Sequence, residues 1–274
     1  MTPSGMARKR TLNVLRHEWR VIFTNRNTAA MVTLLPLIII GQAFVYIFVA
    51  TDLIGIEPLQ NFLGGSLDKW VAAFPELASL SPIDQFRAFA FGQIPVYLLL
   101  VPCLVALTIA TFSIVEEKQT KTLEPLLATP VRTWELMLGK SLASAIPSVL
   151  MSWVSAGFFI LLTLISGSSL LLEQGLNARW VVSLLILVPI VSILSILLGV
   201  IASSRAGDAR SAQNTGLAII LPVLGLVGAQ LFGLMVLDAV GLLILSAIML
   251  VGIYVTLRIA VRVFRRESIL TEWQ

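Results

Sequence analysis

Six stretches of this 274-residue chain run for 18 to 28 residues without a single Asp, Glu, Lys, Arg or His. They cover residues 28–50, 88–115, 141–166, 180–203, 215–237 and 240–257. A helix needs about 20 apolar residues to cross a hydrocarbon core of roughly 30 Å, whereas a membrane strand needs only about 9–11 of alternating polarity. The runs therefore read as helices. A soluble fold is excluded by composition: 57% of the residues are hydrophobic and only 12% charged, half the usual ~25%. A folded chain of this size still shows much of its surface to water and cannot hide that apolar excess. The expected fold is an all-α integral membrane protein with six transmembrane helices.

Only Asp238 and Ala239 separate the last two runs. As one helix, residues 215–257 would extend about 65 Å, roughly twice the membrane. Two passes with a turn at Asp238 are expected instead, eased by Gly233 and Gly241. Lysine and arginine set the orientation. Sixteen of the nineteen fall in the N-terminal segment, the second-to-third loop, the fourth-to-fifth loop and the tail. Lys69, Arg87 and Arg179 lie on the opposite side. Both termini are thus expected in the cytoplasm. No signal peptide is expected either, because the first apolar run begins at residue 28 and lacks an evident cleavage site. The domain plan is an N-terminal segment 1–27, a six-span domain 28–257 with an outer loop 51–87, and a basic tail 258–274.

The lone Cys103 and lone His17 leave neither an internal disulfide framework nor a zinc centre to build. Gly139-Lys140-Ser141 resembles the end of a phosphate loop, but position 134 is Trp where the pattern needs Gly. Glu116-Glu117 has no membrane histidine to work with, and no base lies within a span to activate a serine. The chain is therefore not expected to be an enzyme or to bind a cofactor or metal. An ion-coupled transporter would place ionisable groups inside its spans, and none is there. That absence disfavours an ion-coupled secondary transporter or channel, which stays as an alternative beside a non-transporting membrane scaffold.

Outside the spans, residues 11–26 show amphipathic periodicity. Leu12, Leu15, Trp19, Ile22 and Phe23 share one face, with Asn13, Arg16, His17, Arg20 and Thr24 largely opposite. Such a helix lies on the membrane surface, as an anchor or as a lever to a cytosolic partner. In the outer loop, Leu63, Leu67, Trp70, Val71 and Phe74 suggest a short interfacial helix. Ser81-Pro82-Ile83-Asp84 reads as a helix start. Pro95 and Pro102 should kink the second span. Ser144, Ser148, Ser152 and Ala156 form a small-residue stripe, as do Ser195, Gly199 and Ser203. Such stripes usually mark helix packing, with substrate lining the alternative. Gln42, Gln93 and Gln230 are the strongest polar groups in the spans and either satisfy one another or face a translocation path.

The longest basic-side loop, 116–140, contains a short helix that Thr122 can cap and Pro130 ends, with Leu123, Leu126 and Leu127 as an apolar knob. From the residues alone, a partner's groove and the lipid surface suit that knob equally. This stretch resembles the signature region of ATP-binding-cassette (ABC) transporter membrane subunits of the type-2 permease family. The resemblance rests on Glu116 and Glu117, Thr122-Leu123-Glu124, Leu126-Leu127-Ala128-Thr129-Pro130-Val131, Glu135-Leu136 and Gly139-Lys140. It departs from the pattern at Lys121, often Gly, and at Pro125.

The resemblance implies that loop 116–140 is a coupling helix docking on a separate ABC ATPase subunit, which supplies the site for ATP and Mg. It implies a second contact through Arg205 and Arg210, and a connecting helix carrying Leu15, Arg16, Trp19, Arg20 and Ile22. It also implies two ATPase copies and a homodimer or heterodimer of permease chains in the cell membrane, with no nucleic acid involved. The function it implies is ATP-driven export. Spans without charge fit lipid-like, peptide or amphipathic cargo.

Overall fold

The computed structural model describes residues 3–63, 65–120, 133–205 and 221–270, and all regular structure among them is helical. Helix α1 (Pro3–Thr24) precedes α2 (Arg26–Ile54). Asn25 separates them, its side chain accepting from the amides of Asn27 (3.1 Å) and Thr28 (3.3 Å), a helix N-cap at the start of the first span. Short helices α3 (Glu57–Leu63) and α4 (Ser66–Ala73) and a 3₁₀ turn (Pro75–Ser79) form the outer loop. The second span is α5 (Pro82–Tyr97) followed by α6 (Leu100–Thr120). Then come α7 (Thr133–Ile165), α8 (Ser169–Gly175), α9 from Ala178 to Arg205, α10 (Leu221–Leu231) and α11 (Ala239–Leu270).

Five of these helical stretches are long and apolar enough to cross a membrane: Arg26–Ile54, Pro82–Ala110, Gly139–Ile165, Ala178–Ala202 and Ala239–Ile259. The fifth of the six expected runs is described only over Leu221–Leu231. The break near Asp238 is present. Helix α10 ends in a turn where Gly233 takes φ 63° and packs against Ser66 so closely that a Cβ would lie 3.1 Å from the Ser66 Cα. Asp238 Oδ1 then accepts from the Gly241 amide at 2.7 Å and caps α11.

The second span sits at the centre of the bundle, packed by α7 and α9. Its helix is interrupted at Leu98-Leu99, between Pro95 and Pro102. Proline removes an amide and clashes with the carbonyl four residues back. The Leu99 amide bonds to Val96 (3.0 Å) instead of Pro95. The Ser183 hydroxyl donates to the Pro95 carbonyl that this leaves over, at 2.5 Å. Ser183 opens a π turn in α9 (Ser183–Leu187), so each irregularity faces the other. Ser148 and Ser192 hydrogen-bond between α7 and α9, and Ser195 donates to Cys103 Sγ (3.2 Å).

The short helices of the outer loop pack against the bundle. Leu63, Leu67 and Trp70 are buried with Leu77, Phe86 and Phe89. Trp70 fills a notch left by Gly92, where a Cβ would fall 2.5 Å from its ring. The Arg179 guanidinium stacks over Trp70 (4.9 Å) and Phe74 (4.8 Å), and Arg87 ion-pairs with Asp52 at 2.5 Å. Ser81 caps α5 as expected, accepting from the Asp84 amide at 3.2 Å. Filling the notch with Gly92→Val should cost roughly 1–3 kcal/mol by overpacking. The thermal midpoint in detergent should fall, and Gly92→Val with Trp70→Leu should melt above Gly92→Val alone.

Candidate coupling site

A buried polar assembly joins α1 to the first turns of the third span on α7, where the long loop ends. Its seam on α1 is Thr11, Leu15, Glu18 and Ile22, all buried, at the i, i+4, i+7, i+11 spacing of one helical face. Leu12 and Phe23, expected on this face, are instead exposed at 41% and 46%. They sit roughly 90° around the helix from the seam's centre, beyond the reach of α7. The burial of Leu15 and Ile22 and the exposure of Arg16 and Arg20 follow the expected pattern.

Three contacts hold the joint. Gly139 lets the helices touch: a Cβ there would lie 2.7 Å from Val14 Cγ1 and 3.2 Å from the Thr11 carbonyl. Lys140 pairs with Glu18 at 3.2 Å, with side chains only 14% and 10% exposed. Half-buried Trp19 donates from Nε1 to the Ala143 carbonyl at 3.0 Å. A buried ion pair brings little net stability, because desolvation offsets its attraction, but losing one partner strands the other charge. The pair therefore acts chiefly as a register device for the helix.

Glu18 escaped the sequence reading, although a signal was present. It is the one acid among residues 1–27, and it falls on the apolar stripe between Leu15 and Ile22. Gly139-Lys140, which resembles the end of a phosphate loop, works here as a helix-docking pair.

Of the residues expected to meet an ATPase, Glu116 and Glu117 lie on the last turns of α6, and Arg205 ends α9. Thr122, Leu123, Glu124, Leu126, Leu127, Thr129, Pro130 and Arg210 lie outside the described residues. The polar span residues do not form one cluster. Gln42 is exposed on α2 and donates to the Tyr46 hydroxyl at 3.3 Å. Gln93 is buried and donates to the Phe89 carbonyl at 3.3 Å. Gln230 is buried on α10. The Oε1 atoms of Gln93 and Gln230 have no hydrogen-bond partner among the described residues. Ser148 lies in the contact between α7 and α9, and Ser152 bonds back to the Ser148 carbonyl at 2.8 Å.

The family model described as ABC-2 family transporter protein matches residues 12–244, from the middle of α1 to the first turns of α11. No curated protein matches the chain.

Glu18→Ala should destabilise the purified chain by about 3 kcal/mol, since the Lys140 ammonium stays buried. Adding Lys140→Met should recover most of the loss in thermal midpoint. Equal melting of the single and double variants would refute the pairing.

Proposed function

Since the chain belongs to the ABC-2 family of transporter proteins, we propose that it is the permease subunit of an ATP-driven exporter. The match over residues 12–244 carries this reading. In it, two permease chains, identical or related, build the membrane domain, and two separate ATPase subunits dock beneath and hold ATP and Mg. Sixteen of the nineteen lysines and arginines fall in segments on the side assigned to both termini, which supports a cytoplasmic location for that side. Residues 215–237 complete a sixth span.

The coupling element is loop 116–140. Its apolar knob, Leu123, Leu126 and Leu127, enters a groove of the ATPase, flanked by Glu116, Glu117, Glu124, Thr122, Thr129 and Pro130. Arg205 and Arg210 make the smaller second contact. Closure of the ATPase pair on ATP displaces the knob. Helix α7 begins at Thr133, six residues after Leu127 in the sequence, and is pinned to α1 through Glu18, Trp19 and Gly139. The push is therefore delivered to α1 and the third span together. Because α7 also packs on the broken second span, its movement reaches the hinge at Leu98-Leu99. Access then alternates between the two sides of the cell membrane. The charge-free spans suit lipid-like, peptide or amphipathic cargo, since an isolated charge at mid-membrane is costly.

Leu123→Asp with Leu126→Asp should abolish co-purification of the ATPase subunit while leaving the permease folded in the membrane. Undiminished co-purification would overturn the docking role.

A further inference from the structure

The exposed side of α1 carries a second site that the coupling role does not use. Viewed down the helix, Leu12 and Phe23 lie on nearly one bearing, about three turns apart. Arg16 and Arg20 follow roughly 20–80° further around, then Asn13 and His17. Asn13, Arg16, His17 and Arg20 are all exposed and line one cleft of about 310 Å³. Among the described residues, none of these four side chains has a hydrogen bond or ion pair. The one acid of α1, Glu18, lies roughly 160° from Arg16 and is engaged with Lys140. Among the described residues, the two guanidiniums are therefore unneutralised next to exposed apolar side chains.

That order of zones (bundle, apolar, cationic, aqueous) matches a bilayer edge. The helix runs into the Asn25 cap, where the first span begins, so it sits at the level where acyl chains meet headgroups. We propose that Arg16 and Arg20, with Asn13 and His17, form a headgroup site for an anionic phospholipid whose acyl chains lie along Leu12 and Phe23. A soluble anion would have no use for the apolar pair, and a neutral lipid none for the uncompensated arginines. Because the opposite side of the same helix is locked to Lys140 and Ala143, the lipid's charge biases the seating of the joint that leads to loop 116–140.

The test uses the purified full chain in detergent. It is titrated with phosphatidylglycerol, with phosphatidylcholine of the same acyl chains, or with inorganic phosphate, and the thermal midpoint and bound lipid by native mass spectrometry are read. Phosphatidylglycerol should raise the midpoint well above phosphatidylcholine, and inorganic phosphate should not. Arg16→Gln with Arg20→Gln should weaken the phosphatidylglycerol response roughly thirty-fold, as expected for two cations at a lipid surface. Arg16→Lys with Arg20→Lys should keep most of it. Leu12→Ser with Phe23→Ser should weaken binding of the phospholipid without creating a response to phosphate. Arg20→Gln alone serves if the double glutamine variant does not fold.

Equal midpoints in the two lipids would overturn the proposal. So would a shift reproduced by inorganic phosphate, or a response unchanged in the glutamine variants. The measurement needs no ATPase, so failure to capture an ATPase would refute the export reading and leave the lipid site standing.

Discussion

A backbone carbonyl in hydrocarbon has no water to accept from, so every break in a membrane helix must be answered by a neighbour. This bundle is organised around one such answer. The paired prolines interrupt the second span and spare the Pro95 carbonyl, and Ser183 supplies the hydroxyl from α9. The π turn beginning at Ser183 shows the same economy, since π turns recur where a helix is adjusted for a local need. The serines of α7 and α9 continue the seam through Ser148 and Ser192. Small side chains let the helices approach, and their hydroxyls keep the buried polar groups paired.

The same logic operates with full charges at the edge of the membrane. Glu18 and Lys140 are nearly buried, and each makes the other tolerable. Such a pair adds little stability, but it penalises any other alignment of α1 on α7. Gly139 permits the close approach, and Trp19 closes it with a hydrogen bond. The result is a joint between α1 and α7 held by an ion pair, a close glycine contact and a hydrogen bond. At the opposite end, the outer loop is held by aromatic packing: Trp70 in the Gly92 notch, with Arg179 stacked over Trp70 and Phe74.

Much of this was legible beforehand because it depends on local rules. The Ser81 cap, the Pro95 and Pro102 break and the turn before α11 each follow from the conformational limits of a few adjacent residues. The face of α1 was read less well. Periodicity grouped Leu12 and Phe23 with Leu15 and Ile22, but in a membrane protein an apolar side chain is satisfied equally by protein or by lipid. Only the position of α7 separates the two. Trp70 shows the same limit: its helix was foreseen, while its burial required Gly92 to be opposite.

Length, charge-free runs and the distribution of lysine and arginine by themselves determined that this chain is a multi-pass helical membrane protein, because crossing hydrocarbon imposes requirements a chain must meet residue by residue. The long-loop pattern pointed to its family. The tertiary structure decided which polar groups meet: Glu18 with Lys140, Ser183 with the Pro95 carbonyl, Arg179 with Trp70. Those pairings join residues 88 to 122 positions apart in the sequence, beyond the reach of any local rule, and only the packing of whole helices brings them into contact.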